Sequence, residues 1–486
     1  MRKFIVLLAL LAATAPAWDW VTSGGNPPRT GLSSQYAPGN PDLSWSGTLS
    51  GWFGTPIFMD SDKLITMRFQ SIDYAPIVCH ELFQGETLWT RDFPGANSRS
   101  LPIGIWGDRV YGVNFQESRH DTIYCLDART GEILWRSTVT ADMGITESAT
   151  FAENGDPIVT ISDFRIARLD HETGDTVWTT RRVWPVTGST DACVYDSTVY
   201  AYWGDIGSLR LASFRLSDGT LKDTVRIEDT HPGGPMAQAA PMVGPDGTIY
   251  AHKVGDNVTA IRDFGDSLHV LWVAPISGEG EYFSPFSHFA VGPDSTVYAA
   301  SYGRIIRLDP HTGAVIDSSD FVQDTTGILF NVRLAIDAAG QVFLATGQDA
   351  GGLYCFTPDL RLHWFEPIPR VNTSGPAIGV TGILAVGGSG TELRVYAPAP
   401  AVADRPAHAA ARLRAPTIAR LTASLRWNGP AARLDIHDIT GALMASAELT
   451  GPGRFDWDCS TVPAGVYLVR AETAVATETA RITVCR

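Results

Sequence analysis

Four aspartates in this chain each stand a few residues ahead of a Thr-Gly pair: Asp127, Asp170, Asp309 and Asp438. Recurring carboxylates could serve as an acid/base pair or as ligands for a hard cation. Their setting favours another role, because Asp at the head of a tight loop accepts backbone N–H groups and shapes the turn. Histidine offers no metal pattern. His171 and His311 sit inside those same turns and His80 follows Cys79 in an apolar run. His120, His231, His252, His269, His288 and His363 show no H-x-H or H-x-x-x-H spacing. Cys79, Cys125, Cys193 and Cys355 each lie in strand-like apolar runs, where cysteine acts as a small buried hydrophobe, and no C-x-x-C or Cys-Cys pair occurs. These residues therefore predict no catalytic, cofactor or metal site.

Aromatic residues fall into two sets. Trp45, Trp89, Trp135, Trp178, Trp272 and Trp364 recur in phase, with Leu221 and Ile316 taken as the two in-phase positions that lack tryptophan. Steps of about 43 to 51 residues separate successive members, the period of a four-stranded propeller blade. Regular spacing predicts that these side chains fill the gaps between neighbouring blades. Off that period stand Trp106, Trp184, Trp203, Tyr282, Phe283 and Phe286, in or near connections between strands, and these are the candidate ligand contacts.

The elements that would position them read as hairpins. Thr122 to Leu126 alternates as a strand, Asp127 to Glu132 turns, and Ile133-Leu134-Trp135 returns. Gly244-Pro245-Asp246-Gly247 and Gly292-Pro293-Asp294-Ser295 mark a second hairpin upstream, since Pro presets one dihedral of the turn. Two hairpins per period give four strands. The last unit, ending at Leu393-Arg394-Val395-Tyr396, lacks a returning strand, which Leu43-Ser44-Trp45 can supply from the other end of the repeat region. Such closure leaves no open edge between first and last sheets. The count is eight blades, or seven if the unit around Leu221 is irregular.

Leu126-Asp127 through Thr130-Gly131-Glu132 to Leu134-Trp135 resembles the LDAxTGxxLW repeat of pyrroloquinoline-quinone-like propellers, and Gly25-Asn26-Pro27-Pro28-Arg29-Thr30-Gly31 resembles that superfamily's DPQHTG opening. The resemblance covers about residues 18 to 398 and implies an all-β propeller. The same fold hosts dehydrogenases, outer-membrane assembly scaffolds and binding proteins. Quinoprotein alcohol dehydrogenases of this superfamily carry adjacent cysteines, a Glu/Asn calcium site and a catalytic Asp, a set this sequence does not match.

Composition shifts at Ala397-Pro398, and 399–415 is an Ala/Pro-rich linker. Residues 416–486 read as six or seven short strands, a compact sandwich. Leu434-Asp435-Ile436-His437-Asp438-Ile439-Thr440-Gly441, Trp457-Asp458 and Pro463-Ala464-Gly465-Val466-Tyr467 resemble type IX secretion sorting domains and the related FlgD-like immunoglobulin-type domains. Cys459 and Cys485 lie in this part. If paired, they would close a loop of about 26 residues and stabilise by roughly 3 kcal/mol in an oxidising compartment.

Basic Arg2-Lys3, the apolar run from Phe4 to Ala13 and Ala15-Pro16-Ala17 form a secretory signal, with cleavage expected after Ala17 and a run too short to span a membrane. Acidic residues outnumber basic ones, 52 to 37, which argues against nucleic acid or anionic lipid as partner. The expectation is an exported, non-catalytic binding or scaffold protein of a bacterium, secreted or on the outer cell surface. Its propeller would meet a protein or glycan, and its tail would engage the secretion machinery. The alternative is a secreted enzyme on the same propeller, quinone-dependent or polysaccharide-acting.

Overall fold

A computed structural model describes residues 19–398 and 413–484, with gaps at 51–55, 69–73, 94–97, 116–120, 142–147, 163–164, 181–190, 204–208, 228–237, 254–256, 277–288, 302, 323–332, 347–350, 370, 372–373, 380, 389–390, 415–417, 420–421, 428–430, 439–441, 451–452 and 473–476. Two compact units divide the chain at Ala399/Pro400.

Alternating apolar residues make each strand half a sheet face, and the turns fold the strands into antiparallel meanders. Among the described residues the first compact unit holds six four-stranded sheets and one nine-stranded sheet. The latter divides into two four-stranded units joined where Ala141 pairs with Ile161, with Tyr74–Ala75 added at its edge, so that eight four-stranded units follow one another. Unit 1 comprises Phe58–Asp60, Lys63–Met67, Ile77–Glu81 and Thr87–Arg91, and unit 2 comprises Ser98–Trp106, Arg109–Phe115, Asp121–Asp127 and Ile133–Ala141. Unit 3 begins at Thr150–Phe151, unit 4 at Cys193–Tyr195, unit 5 at Gln238–Val243, unit 6 at Ala290–Val291 and unit 7 at Arg333–Ile336. Unit 8 consists of Ser374–Ile378, Leu384–Gly388, Thr391–Tyr396 and, from far upstream, Leu43–Ser50. That last strand pairs antiparallel with Thr391–Tyr396, Leu43 opposite Tyr396 and Trp45 opposite Val395. The wheel is thus closed by hydrogen bonds between the two ends of the repeat region, and no fourth-strand position stays vacant in unit 8.

First strands lie innermost, and neighbours touch: that of unit 1 meets those of units 2 and 8, and units 7 and 8 meet in the same way. Strand alternation puts the turns between first and second and between third and fourth strands at one rim. The remaining connections leave from the other rim.

Seams between units carry the in-phase tryptophans. The indole N–H of Trp45, Trp89, Trp135, Trp178 and Trp272 donates across the seam to the carbonyl of Leu82, Ala128, His171, Leu216 and Pro310 respectively, 2.9 Å in each case. Each ring lies flat on a turn glycine of the next unit; a Cβ on Gly85, Gly131, Gly174, Gly219 or Gly313 would stand 2.5–2.7 Å from the indole. All five glycines have φ between +69° and +76°, so both the backbone and the ring demand glycine.

One sequence assignment is corrected. Leu221 and Ile316 are not the tryptophan equivalents. Trp135 pairs with Cys125 two residues after Ile133 pairs with Leu126, across a bulge. By the same register Asp223 opposite Ser213 and Asp317 opposite Arg307 hold that place. Unit 4, the weak unit in sequence, has all four strands.

The C-terminal unit is a β-sandwich. Leu413–Arg414, Thr422–Trp427 and Gly453–Asp458 form one sheet; Ile418–Ala419, Thr477–Val484, Gly465–Glu472, Ala432–Asp438 and Leu443–Leu449 form the other. Leu425, Trp427, Leu434, Ile436, Trp457 and Val469 fill the space between them. Cys459 is a buried free thiol at the end of a strand, and Cys485 lies outside the described residues.

Candidate functional site

At the centre of the wheel, the turn-rim end of the first strands is crossed by the chain itself. Residues 20–35 run past the units in order, their carbonyls accepting backbone N–H groups from the ends of the innermost strands. Trp20 O takes Met59 N of unit 1 at 2.9 Å, Val21 O takes Ile105 N of unit 2 at 3.1 Å and Pro27 O takes Val194 N of unit 4 at 2.9 Å. Pro28 O takes Val243 N of unit 5, Thr30 O takes Val291 N of unit 6 and Gly31 O takes Ile336 N of unit 7, at 2.9, 2.8 and 2.7 Å. Unit 3 joins through the Thr150 hydroxyl, which donates to Pro27 O at 3.0 Å. Two consecutive prolines suit this path, since a residue that only accepts hydrogen bonds needs no N–H.

Arg29 pins the collar. Only 1% of it is exposed, and its guanidinium donates to Ala192 O at 2.7 Å, Ser23 O at 2.9 Å, Ser148 Oγ at 2.8 Å and Ser148 O at 3.1 Å. Asp191, fully buried, stands 3.6 Å away and accepts Ser148 N at 3.1 Å. A charge this deep is tolerated because it is paired and its donors are used. Sequence reading noticed this segment only as a motif; the arginine set among glycines and prolines was the available signal for a buried anchor.

The turn aspartates do what their context suggested. Asp127 Oδ1 accepts Arg129 N at 2.8 Å and Thr130 N at 2.9 Å; Asp170 and Asp309 repeat the pattern on Glu172 and Thr173, and on His311 and Thr312. The Thr312 hydroxyl and these amides hold the Asp309 carboxyl below the usual range. In the tail, Asp438 accepts Ala442 N at 3.0 Å. The aspartates of the wheel belong to separate units and do not converge.

His171 is drawn into a charge network at the turn rim. Its Nδ1 lies 2.7 Å from Asp156 and its Nε2 3.2 Å from Glu172, while Arg109 of unit 2 reaches Glu172 at 2.7 Å. Arg168 bonds Asp156 at 2.8 Å and the unit 4 carbonyl of Leu216 at 2.9 Å. Burial pushes the Asp156 carboxyl up, but its bonds from His171, Asn154 and Arg168 outweigh that and leave it lowered. Both imidazole nitrogens are engaged, so the network ties units 2, 3 and 4 together.

Of the candidate ligand contacts, Trp184, Tyr282, Phe283 and Phe286 lie outside the described residues. Trp106 stands at the turn rim, its ring 5.3 Å from that of Phe151 and against Gly155 of unit 3. Trp203, at the opposite end of its unit's second strand, packs on Phe214 at 5.9 Å. The two are thus on opposite rims and form no common patch.

Residues 45–319 match the family described as outer membrane protein assembly factor BamB. The chain belongs to this family. No curated protein matches it. Among solved structures, BamB from Moraxella catarrhalis superposes with TM-score 0.54 at 16% identity, over 73% of this chain and 99% of that one. The quinohemoprotein alcohol dehydrogenase from Comamonas testosteroni gives TM-score 0.58 at 13% identity, covering 79% of this chain and 81% of that one. A europium-containing methanol dehydrogenase gives 0.58 at 12%, over 78% and 98%. At these identities the likeness shows the fold alone: a pyrroloquinoline-quinone-like β-propeller.

For a BamB-family wheel with dehydrogenase-like neighbours, the donor set tests whether a quinone fits. Cys79, Cys125, Cys193 and Cys355 are buried singly, in units 1, 2, 4 and 7. Burial pushes the Cys79 and Cys125 thiols up to about 12, which makes them inert. Among the described residues no three His, Cys, Asp or Glu side chains gather as a metal site. The residues described do not fit a quinone site built on adjacent cysteines and calcium.

Proposed function

We propose that this BamB-family chain is an exported, non-catalytic scaffold whose wheel binds a protein and whose C-terminal sandwich directs secretion or attachment to a bacterial outer surface. The observation that carries the reading is the collar. It occupies the turn-rim end of the axis with the chain's own backbone, and it leaves the loop rim as the face on which a partner can be met. The segments that link unit 4 to unit 5 and unit 5 to unit 6 in sequence, 229–239 and 277–288, are the ones to probe. Family membership favours a protein over a glycan as the ligand.

The leader ends at Ala17 in this reading, so the mature protein begins at Trp18, and N-terminal sequencing of exported material checks it. In-cell cross-linking of the full chain is the functional test. A protein adduct that recurs and disappears when 229–239 is shortened supports the scaffold, whereas cross-linking unaltered by shortening either connection contradicts it. A titration with pyrroloquinoline quinone and calcium that produced a bound quinone spectrum would instead establish the enzymatic alternative.

A further inference from the structure

Six of the eight seams hold a tryptophan from the preceding unit. In five of them the indole lies on the next unit's turn glycine and its N–H donates to a carbonyl at that turn. In the sixth, Trp364 packs against a core that includes residues of units 7 and 8, and Arg394 of unit 8 reaches Glu366 of unit 7 at 2.6 Å. The two exceptions stand on either side of units 5 and 6. Between units 4 and 5 the tryptophan place is taken by Asp223, whose carboxylate accepts Leu268 N at 2.8 Å. Beyond its chain neighbours, no described atom stands within 4 Å of a Cβ on Gly265 in the unit 5 turn, where the five covered glycines meet an indole at 2.5–2.7 Å. Charge replaces the ring: Lys222 Nζ of unit 4 lies 2.9 Å from Asp263 Oδ2 of unit 5, and the Tyr200 hydroxyl of unit 4 donates to the same oxygen at 2.9 Å. Between units 6 and 7 Asp317 takes the tryptophan place. There Leu360 of the unit 7 turn, 3% exposed, joins a core with Tyr298 and Ile305 of unit 6, and the Tyr298 hydroxyl donates to Pro358 O at 2.9 Å.

Burial makes these the two light seams of the wheel. An aromatic side chain takes roughly 150–250 Å² out of water. A leucine takes less, and a charged pair held inside returns little net stability, because its desolvation offsets the attraction. The seam between units 5 and 6 keeps the full arrangement, Trp272 lying on Gly313 with its N–H on Pro310 O. Units 5 and 6 are therefore tied to each other more firmly than to units 4 and 7. The collar repeats the division. It grips unit 4 through Pro27 O and through Arg29, which bonds Ala192 O at 2.7 Å and stands 3.6 Å from Asp191. It grips unit 7 through three backbone bonds, Ile336 N on Gly31 O, Ser33 N on Ile336 O and Ala338 N on Gln35 O, and through Ala37 N on the Asp337 carboxylate. Among the described residues, unit 5 has one backbone bond to the collar, Val243 N on Pro28 O, and unit 6 has one, Val291 N on Thr30 O. Units 1 and 2 also have one each, but tryptophan seams flank both.

We propose that units 5 and 6 form a release sector, a two-unit body that opens as one piece by parting at the seams to units 4 and 7 while the collar and the other six units stay assembled. Trp272 is the internal tie of this sector, and the Lys222–Asp263–Tyr200 cluster and the Tyr298–Pro358 bond are its two latches. Opening at two light seams exposes less surface than opening the whole ring, so the sector is the wheel's local way to yield. The inference stands apart from the scaffold reading and requires no partner, so either can fail without the other.

The test is native-state hydrogen exchange of the full chain, read by mass spectrometry on second and third strands, which are paired on both sides. Thr248–Lys253 and Asn257–Asp263 of unit 5 and Val297–Ser301 and Arg304–Leu308 of unit 6 should share one opening. That opening should be at least tenfold more populated than the one that exposes Lys63–Met67 and Ile77–Glu81 of unit 1 or Arg109–Phe115 and Asp121–Asp127 of unit 2. Tyr200→Phe cuts a bond at one latch and Tyr298→Phe at the other. Each should raise the shared opening of units 5 and 6 at least threefold, in both units alike, and leave units 1 and 2 at the parent rate. Trp272→Phe should split the sector, so that units 5 and 6 exchange through separate openings. Equal protection around the wheel, unequal openings of units 5 and 6 in the parent, or a latch variant whose effect stays in one unit or spreads over the ring overturns the proposal. If Trp272→Phe fails to fold, the parent and the two tyrosine variants still decide the matter, since a cut at either seam must be felt in both units.

Discussion

Arg29 concentrates more polar contact than any other described side chain of the collar, and its removal strands Asp191. Breaking one partner of a buried pair leaves an uncompensated charge, which costs about 3–5 kcal/mol. Arg29→Met should therefore lower chemical-denaturation stability by about that amount, and adding Asp191→Asn should return part of it. His80 sets a pH dependence. Burial, with help from the Arg68 charge and against the Gly85 carbonyl bond, lowers its pKa from the ordinary 6.5, and its Nδ1 lies 3.2 Å from Gly85 O, beneath the Trp45 ring. A histidine held neutral in the fold takes up its proton more readily when unfolded, so its stabilising share is complete above pH 6.5 and is lost as pH falls below that value toward the folded pKa. Melting temperature should decline on acidification through that window, and His80→Gln should flatten the decline. An unchanged slope in the variant counts against the assignment.

At the scale of strands and turns, the seam geometry makes a sharper forecast. Gly174 has φ +76° and the Trp135 ring above it, so Gly174→Ala should destabilise by about 1–3 kcal/mol through overpacking and backbone strain together. Trp135→Phe should cost about 1–3 kcal/mol because the His171 carbonyl is left unpaired in the seam. Paired denaturation curves check both, and additive losses in the double variant would contradict a shared contact. The tryptophan period was legible in the sequence because bulk at a fixed interval is a chain-local signal. Its two polar members were not: Asp223 and Asp317 are defined by pairing across a bulge, and nothing apolar marks them, so the position after the turn and the repeat spacing point to Leu221 and Ile316 instead. The turn aspartates could be read because their amide partners lie two and three residues away, whereas the acceptor of each indole lies 36 to 39 residues away, by the spacing of the bonded pairs.

For the whole molecule, closure followed from counting strands, since a last unit one strand short and an in-phase Trp45 can be matched without knowing any contact. The collar could not be found that way. Residues 20–35 carry no strand period, and eight of their bonds to the units join backbone to backbone, which leaves no trace in side-chain pattern. Both features use residues 20–50 to hold sheets that come much later in the chain. Hydrogen exchange at Leu43, Trp45, Ser46 and Gly47 tests this most directly, because their partners are Tyr396, Val395, Arg394 and Leu393. Leu43–Ser50 is paired on one side only, so alternate amides face the partner strand. The account predicts that those facing Thr391–Tyr396 exchange as slowly as the amides of Leu384–Gly388 in the middle of the same sheet and are released in the same cooperative opening. Exchange at the rate of an unstructured chain, with unit 8 otherwise protected, would contradict a closed wheel.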